Sequence, residues 1–268
     1  MNSAPIKSSR ITFNKYADRY DTYRPDYPEE LFDTIIGETG ISGTSNLLEI
    51  GPGTGQATRA LAKRKYSITA IELGDELAKV VRSNLLKYPK VQIVHGSFEA
   101  TSFSEPQFDL IYAATAFHWI KDEYKFTKTA SLLKPKGHLA IIHTEYINGD
   151  DGADFLLKSE HIYNEYLPSE EVTPRSIFTS RHIDDLRAPQ IDDTLFKQSS
   201  FNIFSQTLSY SAEQYAGLLS TYSPVIALES KRRTIFLDKI KKLIENEFNG
   251  ILRRRLAFTL TIAQKKLS

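Results

Sequence analysis

The chain has no cysteine. A disulfide scaffold, a thiolate zinc site, an iron–sulfur cluster and a cysteine nucleophile are excluded together. It also has no excess of either charge: 34 Lys and Arg face 33 Asp and Glu, a formal net of +1 over 268 residues. A dedicated nucleic-acid binder would show a strong basic surplus. No run of apolar residues is long enough to span a bilayer, and the opening MNSAPIKSSR lacks the apolar core of a signal peptide. The expected setting is therefore cytoplasmic, with no membrane partner. Internal repeats and low-complexity tracts are absent too. What is there, 41% apolar and 25% charged residues, suits a globular protein with a core of ordinary size.

Up to about residue 146, apolar runs alternate with helical patterns. Strands are predicted at 46–50 (NLLEI), 68–72 (ITAIE), 91–95 (VQIVH), 108–113 (FDLIYA) and 138–144 (HLAIIHT). Helices are predicted at 56–65, at 75–87 with Asp75 as cap, and at 123–133, stopped by Lys134-Pro135-Lys136-Gly137. This rhythm implies βαβ units and a mostly parallel sheet. Residues 150–195 then carry 11 acidic and 4 basic side chains and no strong strand run, which reads as a helical insert. A strand at 201–210, helices at 212–221 and 228–248, an Asn249-Gly250 turn and an alternating strand at 256–262 follow. Residues 229–268 are basic, 11 against 4, and with the insert read as oppositely charged solvated faces. In a strand, Arg253, Arg254 and Arg255 point to alternate sides, which speaks against a nucleic-acid surface.

The most informative stretch is Leu47–Thr58, LLEIGPGTGQAT: a strand, then Gly51, Gly53 and Gly55, then a helix. Glycine lets backbone amides approach a ligand without an intervening Cβ, and the amides of a helix N-terminus favour a negative group. At the carboxyl end of the first strand of an open parallel sheet, such a loop sits where these folds bind ligands. The dinucleotide fingerprint wants a third glycine at position 56, where the chain has Gln56. Glu72 ends the second strand, 21 residues after Gly51, placed to accept hydrogen bonds from both ribose hydroxyls. A nucleoside is implied, with an imperfect pyrophosphate signature.

Five segments in order, EIGPGTGQ (49–56), AIEL (70–73), HGSFE (95–99), FDLIYAATAFHWI (108–120) and LLKPKGHLAII (132–142), resemble the class I S-adenosylmethionine (SAM)-dependent methyltransferases. The likeness is to the small-molecule branch called type 11 or 25. The opening FNKYADRYDTYRPDYP (13–28) is similar to that branch's pre-sheet segment, and the tail to its reversed seventh strand. The resemblance implies an α/β, Rossmann-like fold: a seven-stranded, mostly parallel sheet with an antiparallel last strand. Helices would cover both faces, with a helical insert after strand five. Residues 1–268 would form a single domain, with a lid segment at 10–28 and a cap at 150–195.

The same resemblance implies site roles. Gly51, Gly53 and Gly55 would face the methionine half of SAM, with Glu49 supporting the loop and Gln56 opening the helix. Glu72, followed by Leu73, would hold the ribose. Ser97 and Phe98 would edge the adenine, although many relatives carry an acid at position 97, and Phe98 reads equally as core. Ala114, within the small-residue run Ala113–Ala116, would pass beneath the sulfonium. Tyr20 and Arg24 would close over the cofactor, Arg24 pairing with its carboxylate. Tyr16, His118 and Trp119 would line the acceptor pocket. His118 is either a general base or, with Trp119, a structural brace. Aromatic side chains of the two lid segments, among them Phe155, Tyr163 and Tyr166, are expected to close the pocket. His143, His161 and His182 show no metal-ligand spacing, and the paired aspartates at 150–151, 184–185 and 192–193 read as caps and turns, so no metal is expected.

The implied partner is a small-molecule acceptor. Two rivals stay open: a SAM-fold protein that binds without turnover, and a nicotinamide dehydrogenase, against which Gln56 counts. Base methylation of nucleic acid is disfavoured, because the chain reads Ala114-Thr115-Ala116-Phe117 where an Asn-Pro-Pro-aromatic or Asp-Pro-Pro-aromatic sequence would stand.

Overall fold

The computed structural model describes residues 17–103, 106–147, 153–167 and 182–267. Helices α1 (Ala17–Tyr23) and α2 (Glu29–Thr39) precede β1 (Asn46–Ile50), α3 (Gln56–Lys63), β2 (Ser67–Glu72), α4 (Asp75–Leu85), β3 (Val91–His95) and β4 (Phe108–Ala114). A single 3-10 turn, Phe117–Trp119, leads to α5 (Asp122–Lys125), α6 (Thr127–Leu132) and β5 (Leu133–Ile147). Beyond it come α7 (Ala153–Tyr166), β6 (Phe196–Ser211), α8 (Ala212–Leu219), α9 (Ser223–Ile226), α10 (Ser230–Glu247) and β7 (Ile251–Lys265).

The strands form one sheet in the order β3-β2-β1-β4-β5-β7-β6. β1 to β5 run parallel, and β7 is antiparallel to both β5 and β6. The strand order reverses between β1 and β4, so a crevice opens there at the carboxyl ends of the strands. Side chains alternate across the sheet with a period of two. Leu47, Leu110, Ala140 and Ile142 face one core with Phe32 and Ile35 of α2 and Phe236, Ile240 and Ile244 of α10. Leu48, Ile111, Leu139 and Ile141 face the other, with Phe117, Ile120 and Leu132. Both faces are covered, so these strands read as continuous apolar runs.

Several boundaries differ from the sequence reading. The helix expected at 123–133 is two short ones broken at Phe126. β5 starts at Leu133 and takes in the Lys-Pro-Lys-Gly stretch, with Lys136 at φ 64° turning the strand. β6 and β7 are longer than expected, because they pair with each other from Phe196↔Lys265 to Ser211↔Ile251. The cap of α4 is Gly74; Asp75 is its first residue. Glu229 caps α10, its carboxylate accepting from the Lys231 and Arg232 amides. Part of the insert lies outside the described residues; within it α7 is helical, as expected, and Ile183–Asp185 forms one 3-10 turn. Arg254 is buried while Arg253 is exposed, so the basic run does split across the strand.

Candidate active site

The loop after β1 is built by its glycines. Gly51 has φ 68°, and a Cβ added there would stand 2.7 Å from the Ala116 Cβ, so the β1 and β4 loops approach closely only without one. Gly55 caps α3 at φ 95°, packed against Val81 of α4. Beside the loop, the Glu72 carboxylate is 5% exposed. Its Oε2 accepts from the Gly53 amide at 3.0 Å and its Oε1 from the Gly74 amide at 2.8 Å. One side chain thus ties the glycine loop to the start of α4. Burial raises the Glu72 pKa, and the backbone donors oppose that rise.

Glu49 is fully buried at the end of β1. The Tyr112 hydroxyl donates to its Oε2 at 2.8 Å, while Oε1 has no hydrogen-bond partner among the described residues. Desolvation pushes this carboxyl up to about 7, against the pull of its hydrogen bonds. Gln56 is similar: its Oε1 accepts from the Thr54 hydroxyl at 2.9 Å, and its Nε2 has no partner among the described residues.

These groups line a cavity of about 450 Å³. Ile71, Leu73, Leu77, Gly96 and Phe98 form its apolar end under β2 and β3. Lys128 stands over the Phe98 ring, 5.3 Å from its centroid, and donates to the Glu99 and Thr101 carbonyls, fixing the turn that carries the ring. The opposite end, above β4 and β5, is polar: Tyr27, Thr115, His118, Trp119, His143, Thr144, Glu145 and Tyr146. Thr115 sits at φ 56°, its hydroxyl within 3.3 Å of the Tyr27 hydroxyl and 3.4 Å of the Thr144 hydroxyl. His118 lines the cavity but stays exposed; partial desolvation, with the neighbouring His143 and the positive charge of Lys125, moves its imidazole below the ordinary value.

The structure brings most of the expected residues together. Glu49, Gly51, Gly53, Gln56, Glu72, Leu73, Phe98, Ala114, Tyr20, Arg24, His118 and Trp119 all line the cavity. Gly55 lies behind it as a helix cap. Ser97 is not among the lining residues: its hydroxyl accepts from the Ala100 amide and caps the turn. Arg24 lines the wall, its Nε donating to the Thr221 hydroxyl at 2.9 Å and its guanidinium stacked on Tyr222 and Tyr20. Tyr16 lies outside the described residues. Phe155, Tyr163 and Tyr166, expected at the pocket, are instead core, because α7 packs its apolar side on α10 around Phe236 and Phe248. Tyr27, His143, Thr144, Tyr146 and Tyr222 were not expected. They converge only through the fold, as in the 2.7 Å hydrogen bond from Tyr222 to Tyr146. Among the described residues, no cluster of three metal-ligating side chains occurs and no helix is long and apolar enough to cross a membrane.

Comparison with known proteins agrees with this geometry. Residues 48–141 match the family model of a methyltransferase domain. An uncharacterised methyltransferase of Schizosaccharomyces pombe is 27% identical over 250 residues, 89% of this chain and 90% of that one. A second S. pombe protein, described as methyltransferase-like, is 32% identical over 156 residues, 58% of this chain and 59% of its own length. A solved structure from Anaeromyxobacter dehalogenans, assigned as a type II methyltransferase, shares the fold with TM-score 0.64 at 21% identity, covering 90% of this chain and 97% of that one. The matched domain at residues 48–141 and these methyltransferase-named relatives mark the chain as an S-adenosylmethionine-dependent methyltransferase, and it shares its fold with the solved neighbour.

Proposed function

We propose that the enzyme methylates a small organic acceptor, and that it does so chiefly by positioning that acceptor in a site closed to water. The observation that carries this reading is a cavity with two unlike ends, one apolar and beside Glu72, the other rich in hydroxyl and imidazole groups. Its volume is that of a small-molecule pocket.

The residues present fit the cofactor. A carboxylate has about four acceptor positions. Glu72 uses two on backbone amides, leaving capacity for a pair of ribose hydroxyls. Glu49 Oε1 and Gln56 Nε2, both buried without a partner among the described residues, suit the charged methionine portion, which Gly51, Gly53, Tyr20 and Arg24 would help to hold. Leu73, Leu77 and Phe98 would enclose the adenine, with Ser97 acting through the turn that holds Phe98. When bound, SAM supplies a methyl group already activated by its sulfonium, so the protein need supply little bond-making chemistry. Ala114 and Ala116 would leave room at the methyl end. Thr115, Thr144, His118 and Trp119 would hold the acceptor in line, and the fixed geometry replaces a costly bimolecular encounter. The aromatic wall of Tyr20, Tyr27 and Tyr222 would exclude water.

Calorimetry with SAM and with its demethylated product S-adenosylhomocysteine (SAH) tests the reading. Wild type should bind both. Glu72→Ala removes two backbone anchors and the ribose contact, and should weaken both by about tenfold or more. If wild type binds neither ligand at millimolar concentration, the reading fails.

A further inference from the structure

We infer that Gly217 and Thr221, in and just past helix α8, are positioning residues for cofactor binding: they seat α1 and the Arg24 that follows it, so that Tyr20 and Arg24 meet the cofactor. This rests on the methyl-transfer reading and adds to it two residues that stand outside the cavity.

Gly217 lies inside α8, where glycine is a poor choice. It weakens a helix relative to alanine, and Gly217 does not have the positive φ that would call for it. The reason is its neighbour. A Cβ there would stand 2.5 Å from Tyr23 Cζ and 2.6 Å from Tyr23 Cδ1, so the ring lies directly on the bare backbone. Alanine takes that space only if Tyr23 moves, and Tyr23 is the last residue of α1.

Thr221 stands four positions further on, in the turn that ends α8. It is fully buried and holds Arg24 twice: Nε donates to its hydroxyl at 2.9 Å and Nη2 to its carbonyl at 3.3 Å. The guanidinium lies over the Tyr222 ring, 4.0 Å from the centroid. Arg24 is in turn tied to α1, its amide donating to the Tyr20 carbonyl at 3.1 Å. Two consecutive residues, Tyr23 and Arg24, are thus fixed at two points one helical turn apart.

On its other side α1 meets the glycine loop. A Cβ at Gly53 would stand 3.7 Å from Tyr20 Cε1, an ordinary contact. Tyr20, Arg24 and Gly53 line the cavity; Gly217 and Thr221 are not among its lining residues. The helix therefore runs from its seat on α8 to the loop that the reading assigns to the methionine portion. Thr221 takes two of the five guanidinium N–H groups, and the others suit that portion's carboxylate. Such a bond depends steeply on distance and angle, so a shift of the seat is felt at the cofactor.

The test is calorimetry with SAH on variants shown to be folded by cooperative urea unfolding, beside brief trypsin digestion read by mass spectrometry at the Arg19–Tyr20 bond. Gly217→Ala should weaken SAH about tenfold, the worth of a charge-assisted hydrogen bond. Arg19 is exposed at the foot of α1; SAH should slow cleavage after it in wild type and not in Gly217→Ala. Thr221→Val, which adds no bulk, carries the test even if Gly217→Ala fails to fold. It should weaken SAH about fivefold, the worth of one ordinary hydrogen bond, while Thr221→Ser, which keeps the hydroxyl, should stay within about twofold. The inference is overturned if Thr221→Val binds SAH as wild type does, if Thr221→Ser is weakened as much as Thr221→Val, or if folded Gly217→Ala keeps both SAH affinity and the protection of Arg19. Wild type that fails to bind SAH would instead overturn the methyl-transfer reading itself.

Discussion

Replacing Glu49 with glutamine should make the protein more stable at alkaline pH while weakening its hold on the cofactor. The unfolded chain releases this proton near the ordinary value of 4.5 and the folded chain near about 7. Between those values the folded state holds more protons than the unfolded one, so stability falls as pH rises. Each tenfold change in proton affinity is worth about 1.4 kcal/mol, which makes the whole loss about 3 kcal/mol for this fully buried group. Glutamine is nearly isosteric and keeps an acceptor for the Tyr112 hydroxyl, but it does not ionise. Any fixed cost of burying its amide is the same at every pH. The quantity to measure is therefore the stability of Glu49→Gln relative to wild type at pH 5 and again at pH 8, by thermal or urea unfolding. The variant should gain about 2–3 kcal/mol between the two conditions, roughly 5–10 °C in Tm for a domain of this size. Titration of other groups cancels in the comparison. Parallel wild-type and variant curves across this range would refute the account of a buried, proton-holding carboxyl. Calorimetry should show SAH bound more weakly by the same variant, a case of a functional group held against the interest of stability.

Two further substitutions probe the frame around the site. Gly51→Ala places a methyl group 2.7 Å from Ala116 at a backbone φ of 68°; it should cost about 1–3 kcal/mol in urea unfolding and abolish measurable SAH binding in calorimetry. Tyr215→Phe removes the hydroxyl that accepts from Arg254 Nη1 at 2.8 Å inside the core; unfolding should register a loss of about 1–3 kcal/mol, with SAH affinity unchanged.

The parallel half of the sheet was legible because β1 and β2 are largely buried, so 46–50 and 68–72 stand out as short apolar runs, while 91–95, the half-buried edge strand, shows as a short β-branched stretch. The glycine loop and Glu72 were legible for a related reason: glycine spacing and an acid at a strand end are local facts. The acceptor end was not. Thr221 meets Arg24 across 197 positions, and Tyr222 meets Tyr146 across 76, distances over which no periodicity speaks. His143 drew notice in the sequence only as a failed metal ligand, since nothing local says that the next strand brings His118 beside it. Phe155, Tyr163 and Tyr166 misled because an aromatic ring suits a core and a pocket equally. The start of β6 was underestimated where polar residues occupy paired positions: Lys197, Gln198 and Ser200 hide it from a hydrophobicity count, yet their backbones all pair with β7.

The place of β7 between β5 and β6 sets the timetable of assembly. β6 leaves the ribosome about 40 residues before its neighbour, and at roughly 5–20 residues per second it waits several seconds with no strand to join. During that interval β5 has a bare flank as well. Insertion of one late segment closes both gaps at once, so nascent chains halted before residue 251 would carry two sticky borders instead of one and become clients of the cell's folding helpers.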